Sequence, residues 1–357
     1  MSRVAISGIG IVCPGALGRE ALLQALAAGG MGAGVTRVPE FSLEAYLESA
    51  HPFRRVARAT RFALAAMGLA IKDAGFSAGG FGGDRAGIVA TITHGAVNYS
   101  VDFHRVLQRE GPQVASPLLF AESVPNAPAG NGAIALQVRG PVHTLIGEEP
   151  VGTQAIDLAA GLLRAGLADR ILVVGTEEWN EVVTHAYDQF ARAARRRPDP
   201  DEAAPLGEGA AALVLESEEA VARRGARPHA VLLGWSLGRC VAGRIERVAA
   251  DVVREAFRAS GRSVAETDHV SPSTGRHRQA ATRGFLAARG DADRPVACVD
   301  LADVVGNPAG ASNLLQVAAS AALMSAGWAG GLGLVLSTGV AGTLSAVLLS
   351  TAGAVGA

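Results

Sequence analysis

One lysine, Lys72, stands against 31 arginines in the 357 residues, so chemistry that needs a side-chain amine has a single candidate position. Cysteine is scarce as well. Cys13, Cys240 and Cys298 lie far apart and form no CxxC pair, which argues against a disulfide framework or a zinc site and points to reduced thiols in the cytoplasm. Charge excess is missing too: the formal net charge is −1 and no basic tract occurs, so nucleic acid is not an expected partner. The opening Met-Ser-Arg-Val-Ala-Ile-Ser lacks the apolar run of a secretory signal. Residues 304–357 carry no charge at all, as a membrane anchor would. Yet Gly and Ala dominate that stretch and the Gly-rich segment 330–333 interrupts it, whereas a lipid-spanning helix needs about 20 mostly large apolar residues. Strands and helices of a doubly covered sheet read the same way, so a buried core is expected and no membrane contact.

Strand-like runs occur at 4–7, 87–93, 142–146, 171–174, 211–215, 230–233, 296–299, 333–337 and 345–349. Helical patterns lie between them. In residues 58–74, Phe62, Met67, Leu69 and Ala70 recur at helical spacing and Gly75 supplies a stop; a second pattern begins after Pro150 and runs through Ile156 to Leu167. This alternation implies α/β layering with a mostly parallel sheet. The series also repeats. One strand–helix series ends near Glu216 and a shorter one starts after Arg227, giving two halves, 1–220 and 221–357, joined by a charged surface connection at 216–228. Residues 192–202, where three arginines meet Pro-Asp-Pro-Asp-Glu, read as a solvated loop.

Taken in order, six motifs resemble the β-ketoacyl synthase branch of the thiolase superfamily, over nearly the whole chain. Residues 3–15 (RVAISGIGIVCPG) are similar to that family's opening strand and 58–73 (RATRFALAAMGLAIKD) to its first long helix. Residues 111–120 (GPQVASPLLF) with 125–130 resemble its interface and acyl-tunnel segment. Residues 140–144 (GPVHT) resemble the strand leading to the nucleophile, 206–216 (LGEGAAALVLE) a family signature, and 337–348 (STGVAGTLSAVL) the closing Gly-rich loop and strand. The resemblance implies a thiolase-like fold of two duplicated halves in five layers, α-β-α-β-α.

It also implies where catalysis should reside. In a ketosynthase a cysteine at a strand-to-helix turn takes the acyl group from an acyl carrier protein; two histidines then promote malonyl decarboxylation, and a lysine completes the electrostatics. Here the nucleophile position holds Glu149. The histidine expected after His269-Val270-Ser271-Pro272 is Ser273. The histidine of the Gly-His-x-x-Gly-Ala motif is Asn307, the lysine slot is Ala302, and the phenylalanine of the closing loop is Val340. All four catalytic positions are changed while the surrounding glycines remain. A carboxylate before a helix is expected to accept backbone hydrogen bonds that lower its pKa, and to repel a malonyl carboxylate. His94, His143 and His277 have no partners at ligand spacing, so neither metal nor cofactor is expected.

Three readings follow. The first is a catalytically inactive chain length factor, the non-condensing subunit of a heterodimeric ketosynthase (an acyltransferase complex) in type II polyketide or aryl-polyene synthesis. Its partners would be an active ketosynthase and, through the complex, an acyl carrier protein. The tunnel and interface would then draw on His94, Asn98, Leu119, Phe120, Thr144, Ile146 and Val340, side-chain bulk setting product length. The second is an enzyme with a repurposed Glu149 acting on carrier-bound acyl chains. The third is a homodimeric scaffold that docks carrier proteins.

Overall fold

The computed structural model describes residues 3–28, 37–77, 79–193, 204–240, 243–292 and 294–352. Of the loop expected at 192–202, all but the first two residues lie outside the described residues.

The chain opens with β1 (Val4–Cys13), β2 (Ala16–Leu17), α1 (Arg19–Ala27), α2 (Arg58–Asp73) and β3 (Ala86–Ile92). Helices α3 (Val97–Glu110), α4 (Pro117–Ser123) and α5 (Ala127–Ala135) lead to β4 (Val142–Ile146), α6 (Val151–Arg164) and β5 (Arg170–Glu177). Then come α7 (Glu181–Ala193), β6 (Gly209–Ser217) and α8 (Glu218–Arg223). A second series follows: β7 (Ala230–Arg239), α9 (Ile245–Arg258), β8 (His269–Ser271), α10 (Arg278–Arg289) and β9 (Ala297–Cys298). It closes with α11 (Ala302–Val305), α12 (Ser312–Ser325), β10 (Leu332–Thr338) and β11 (Thr343–Ser350).

The strand order is β4-β3-β5-β6-β1-β7-β11-β10-β8-β9. With the two-residue β2 set aside and the strands numbered within each series, both halves have the order third, second, fourth, fifth, first. Their directions also match: β4, β3 and β5 run parallel and β6 lies antiparallel between β5 and β1, just as β9, β8 and β10 run parallel and β11 lies antiparallel between β10 and β7. The halves join where Val4–Ile6 of β1 pair with β7. The expected mostly parallel sheet is therefore corrected to a mixed one. The fifth strand of each half pairs antiparallel to the fourth and first, through a hairpin between β10 and β11. The 216–228 connection is likewise not open loop, because α8 occupies its centre and Glu216 is buried against Arg224.

Alternation along the strands builds the layers, since successive side chains face opposite sides of a sheet. Ile171 and Val173 face inward to α6 and α12, whereas Leu172 and Val174 face α2. In the other half Val335 and Val347 face the same central helices, while Leu334, Leu336 and Leu348 pack under α9 and α10. The result is α2, sheet, α6 with α12, sheet, α9 with α10: five layers. α12 is buried almost along its whole length, which its Ala-rich sequence permits because both sheets must approach it closely. The described part of that uncharged stretch, residues 304–352, is thus mostly core, and no helix among the described residues is long and apolar enough to cross a membrane.

Two consequences position the site. α6 follows the third strand of one half and α12 the third strand of the other, so their first turns meet at the centre: Thr153 Oγ1 donates to Asn313 Oδ1 at 3.2 Å and bonds the Ser345 hydroxyl at 2.9 Å. And β4, at the end of the sheet, has one strand neighbour and leaves its other edge open.

Candidate functional site

The turn 147–150 connects β4 to α6, and Gly147 N is held by Ile92 O at 3.2 Å. Glu149 on this turn is 5 % exposed. Its Oε1 accepts from Asn307 Nδ2 at 2.9 Å, so two of the residues singled out by the motif comparison are directly bonded. Asn307 Oδ1 in turn accepts from Ala309 N at 3.1 Å and Ser312 Oγ at 2.8 Å, which fixes its amide with the nitrogen toward Glu149. Ser273, also singled out from sequence, is fully buried; its Oγ accepts from Gly275 N and Thr338 N, both at 3.0 Å, and bonds the Thr338 hydroxyl at 2.8 Å. A Cβ on Gly275 would lie 3.2 Å from Glu149 Cδ, so the Ser273 loop packs on that carboxyl. Ala302 opens α11, which leads into the Asn307 loop.

Glu149 differs from expectation in its electrostatics. Burial raises its pKa, hydrogen bonds from Asn307 and its own backbone N–H oppose the shift, and Glu148 adds to it. The lowered pKa expected from helix amides does not arise because Pro150, with no N–H, is the N-cap and places the carboxyl before the first helical turn. Glu148 faces the closing hairpin. Its Oε1 accepts from Ala341 N at 2.9 Å, and a Cβ on Gly339 would overlap its Oε2. Two consecutive carboxyls therefore hold four loops together. Replacing Asn307 with leucine should strip the donor from a buried carboxyl and the acceptor from Ser312, lowering stability by about 1–3 kcal/mol in urea unfolding. An unchanged midpoint and slope would contradict the pairing.

None of the cysteines lies at this turn. Cys13 ends β1, Cys240 follows β7, and Cys298 lies exposed in β9. Among the described residues no group of three or more His, Cys, Asp or Glu side chains is placed to hold a metal ion.

The remaining residues singled out from sequence separate into two groups. Thr144 and Ile146 lie on β4, where Val142 is 39 % and Ile146 63 % exposed. Leu119 and Phe120 lie on α4; Phe120 packs 5.6 Å, ring to ring, from Phe103 of α3 and is exposed, as are Val114, Leu118 and Ile134. α3, α4, α5 and β4 adjoin in that order, so these exposed apolar side chains lie on neighbouring elements. Val340 is exposed at the hairpin tip. Asn98 belongs elsewhere: its backbone and side-chain N–H groups both bond Glu178 Oε1, and its Oδ1 accepts from Asn180. His94 follows β3 beside the Glu149 turn, where Thr93 Oγ1 donates to Gly147 O at 2.6 Å.

Sequence reasoning missed Glu177, whose oxygens accept from the backbone N–H groups of Thr93, His94 and Gly95 at 2.8, 3.1 and 2.9 Å. Burial pushes this carboxyl up to about 8, against the pull of those three amides. It also missed Tyr187 of α7. The Glu-Glu pair closing an apolar strand was a signal for the first; no local pattern marks the second.

A family model described as "Beta-ketoacyl synthase, N-terminal domain" matches residues 40–220. Among curated proteins, 3-oxoacyl-[acyl-carrier-protein] synthase 2 of Staphylococcus aureus (strain N315) is 27 % identical over 208 residues, 55 % of this chain and 49 % of that protein. The Synechocystis sp. (strain ATCC 27184 / PCC 6803 / Kazusa) protein of the same name is 26 % identical over 260 residues, 66 % of this chain and 62 % of its own. The match to the staphylococcal relative thus spans about half of that protein's length. Among solved structures, the ishigamide ketosynthase/chain length factor superposes with a TM-score of 0.84 at 22 % identity, covering 99 % of this chain and 100 % of that one. A type II PKS acyl-carrier protein in complex with its ketosynthase bound to the hexaketide (AntDE:AntF) matches at 0.82 and 17 % identity, covering 98 % and 100 %.

Proposed function

Because the chain belongs to the β-ketoacyl synthase family, we propose that it is a non-condensing subunit of chain-length-factor type, paired with an active ketosynthase. The observation that carries this reading is the Glu149–Asn307 hydrogen bond. A carboxyl cannot take the acyl group as a thiolate does, and Asn307 and Ser273 supply no imidazole to polarise a thioester. The scaffold is nonetheless complete in outline, with the same strand order and directions in both halves. That repetition supports a duplication divided near residue 220.

A subunit without condensing chemistry acts through its surface. The open edge of β4 carries unpaired backbone groups beside the apolar face of α3, α4 and α5, and such an edge is a template for strand pairing with a second chain. An active ketosynthase is the partner in this reading, and the acyl carrier protein reaches this chain through that complex. Leu119, Phe120, Thr144 and Ile146 then border the shared acyl tunnel. Coexpression with a ketosynthase bearing an intact Cys-His-His set, followed by native mass measurement, tests it. A one-to-one heterodimer is expected. A chain that stays soluble and associates only with itself would instead support the homodimeric scaffold.

The second reading, a repurposed Glu149, draws on one observation: burial raises the pKa of this carboxyl, the direction that suits a proton-transferring group. Its mark is an activity in the isolated chain that Glu149→Gln removes.

A further inference from the structure

The one side-chain amine of the sequence has no part in the site around Glu149. Lys72 lies in the last turn of α2, in an outer layer, where it borders a separate cleft of about 360 Å³. Four segments enclose this cleft: the turn at 44–48, the end of α2, the loop leading to β3 and the end of α5. Its volume falls within the range of small-molecule clefts, roughly 300–1,000 Å³.

Close backbone contacts fix the walls. A Cβ on Gly68 would lie 2.1 Å from Tyr46 O and one on Gly82 would lie 2.3 Å from Leu136 O, so glycine lets these segments meet. Phe76 and Phe81 line one wall with their rings edge to face, 5.5 Å apart, and the Arg224 guanidinium sits 4.3 Å from the centre of Phe76. Tyr46, Leu47, Ile71 and Leu136 extend the apolar surface. Gln137, just after α5, has φ 53°, a left-handed conformation uncommon without glycine, and its carbonyl is held by Gly83 N at 2.8 Å.

The charges on this cleft select its ligand. Lys72, Glu44 and Glu48 are all exposed and line it together. Charged groups nearby are paired, Asp73 with Arg19 and His229, and Glu40 with Arg58 and Arg61. Among the described residues no ion pair engages Lys72, Glu44 or Glu48. A ligand that is only an anion would meet two carboxylates, and one that is only a cation would meet the ammonium. A molecule with both charges and an apolar body satisfies the rim and the walls at once.

We propose that this cleft binds a free α-amino acid with an aromatic side chain. The ligand carboxylate pairs with Lys72, its ammonium with Glu44 and Glu48, and its ring rests among Tyr46, Phe76 and Phe81. The cleft lies where β3 begins, whereas Glu149 follows the end of the parallel strand β4, so the proposal goes beyond the non-condensing reading and does not rest on it.

The test uses the full chain and L-phenylalanine, read by titration calorimetry. Saturable binding with a Kd below about 1 mM is expected. Lys72→Met should weaken it about fivefold, the size of one partly exposed ion pair, and Glu44→Gln with Glu48→Gln by at least as much. Two probes that each lack one charge assign the ends. Phenylalaninamide has no carboxylate, so its affinity should not fall in Lys72→Met. N-acetylphenylalanine has no ammonium, so its affinity should not fall in the paired glutamine variant. Both should bind the unaltered chain more weakly than phenylalanine. Because Lys72 is the one lysine, reductive methylation with isotope-labelled formaldehyde marks a single side-chain amine, whose resonance should shift and saturate with phenylalanine. That reading needs no variant, and thermal melts report whether the variants fold. Absence of saturation, an unmoved label, equal affinity for phenylalanine and its amide, or unchanged affinity in folded Lys72→Met would overturn the site.

Discussion

Replacing Ile146 with arginine is expected to abolish co-purification with the ketosynthase proposed as its partner while leaving this chain folded. Ile146 is 63 % exposed on the open edge of β4, so the arginine meets water in the free chain and the core is untouched. In a heterodimer joined through that edge the same guanidinium would be buried without a counter-charge. An uncompensated buried charge costs about 3–5 kcal/mol, which corresponds to a loss of affinity of about 100-fold or more. Pull-down from coexpressing cells checks the association and circular dichroism melting checks the fold. Full partner binding by a folded Ile146→Arg chain would move the interface away from β4.

Glu177 carries the second large effect. Its carboxyl is pushed up to about 8 in the fold from an ordinary 4.5, with burial as the cause. Between those values the unfolded chain loses a proton that the folded chain keeps. Stability contributed by the neutral acid is therefore present below about 4.5, falls as pH rises, and levels off above about 8. At pH 7 the linkage amounts to about 3 kcal/mol. Glu177→Gln removes the titration, so the stability of the variant relative to the parent should climb across that window. A pH-independent penalty accompanies it, since one amide oxygen cannot replace two carboxyl oxygens facing three N–H groups. Chemical denaturation at several pH values between 5 and 9 separates the two. Parallel curves would mean that the three amides hold Glu177 ionised at neutral pH.

Both effects arise from residues whose importance is spatial. The place of Ile146 on a strand was legible because a short apolar run precedes the motif turn. Glu177 was not. It ends β5 in a Glu-Glu pair that reads equally as a loop end, and its partners at 93–95 come from a different connection. The helices at 58–74 and after Pro150 were legible because apolar spacing and stop residues act locally, and α2 and α6 lie there. The strand direction at β6 and β11 was not, since a strand's own residues do not state which way its neighbour runs.

What the amino-acid order alone determined is which side chains stand at the motif positions: Glu149, Ser273 and Asn307, none of them a cysteine or a histidine. The tertiary structure decided what the replacements do. Only the meeting of α6 and α12 between two sheets brings Asn307 onto Glu149, and only burial at that junction drives the carboxyl toward its neutral form. Only the packing of α7 against the loop after β3 sets Tyr187 on His94. Hydrogen bonds and desolvation depend on distance in space, and these groups stand 93 or more residues apart along the chain.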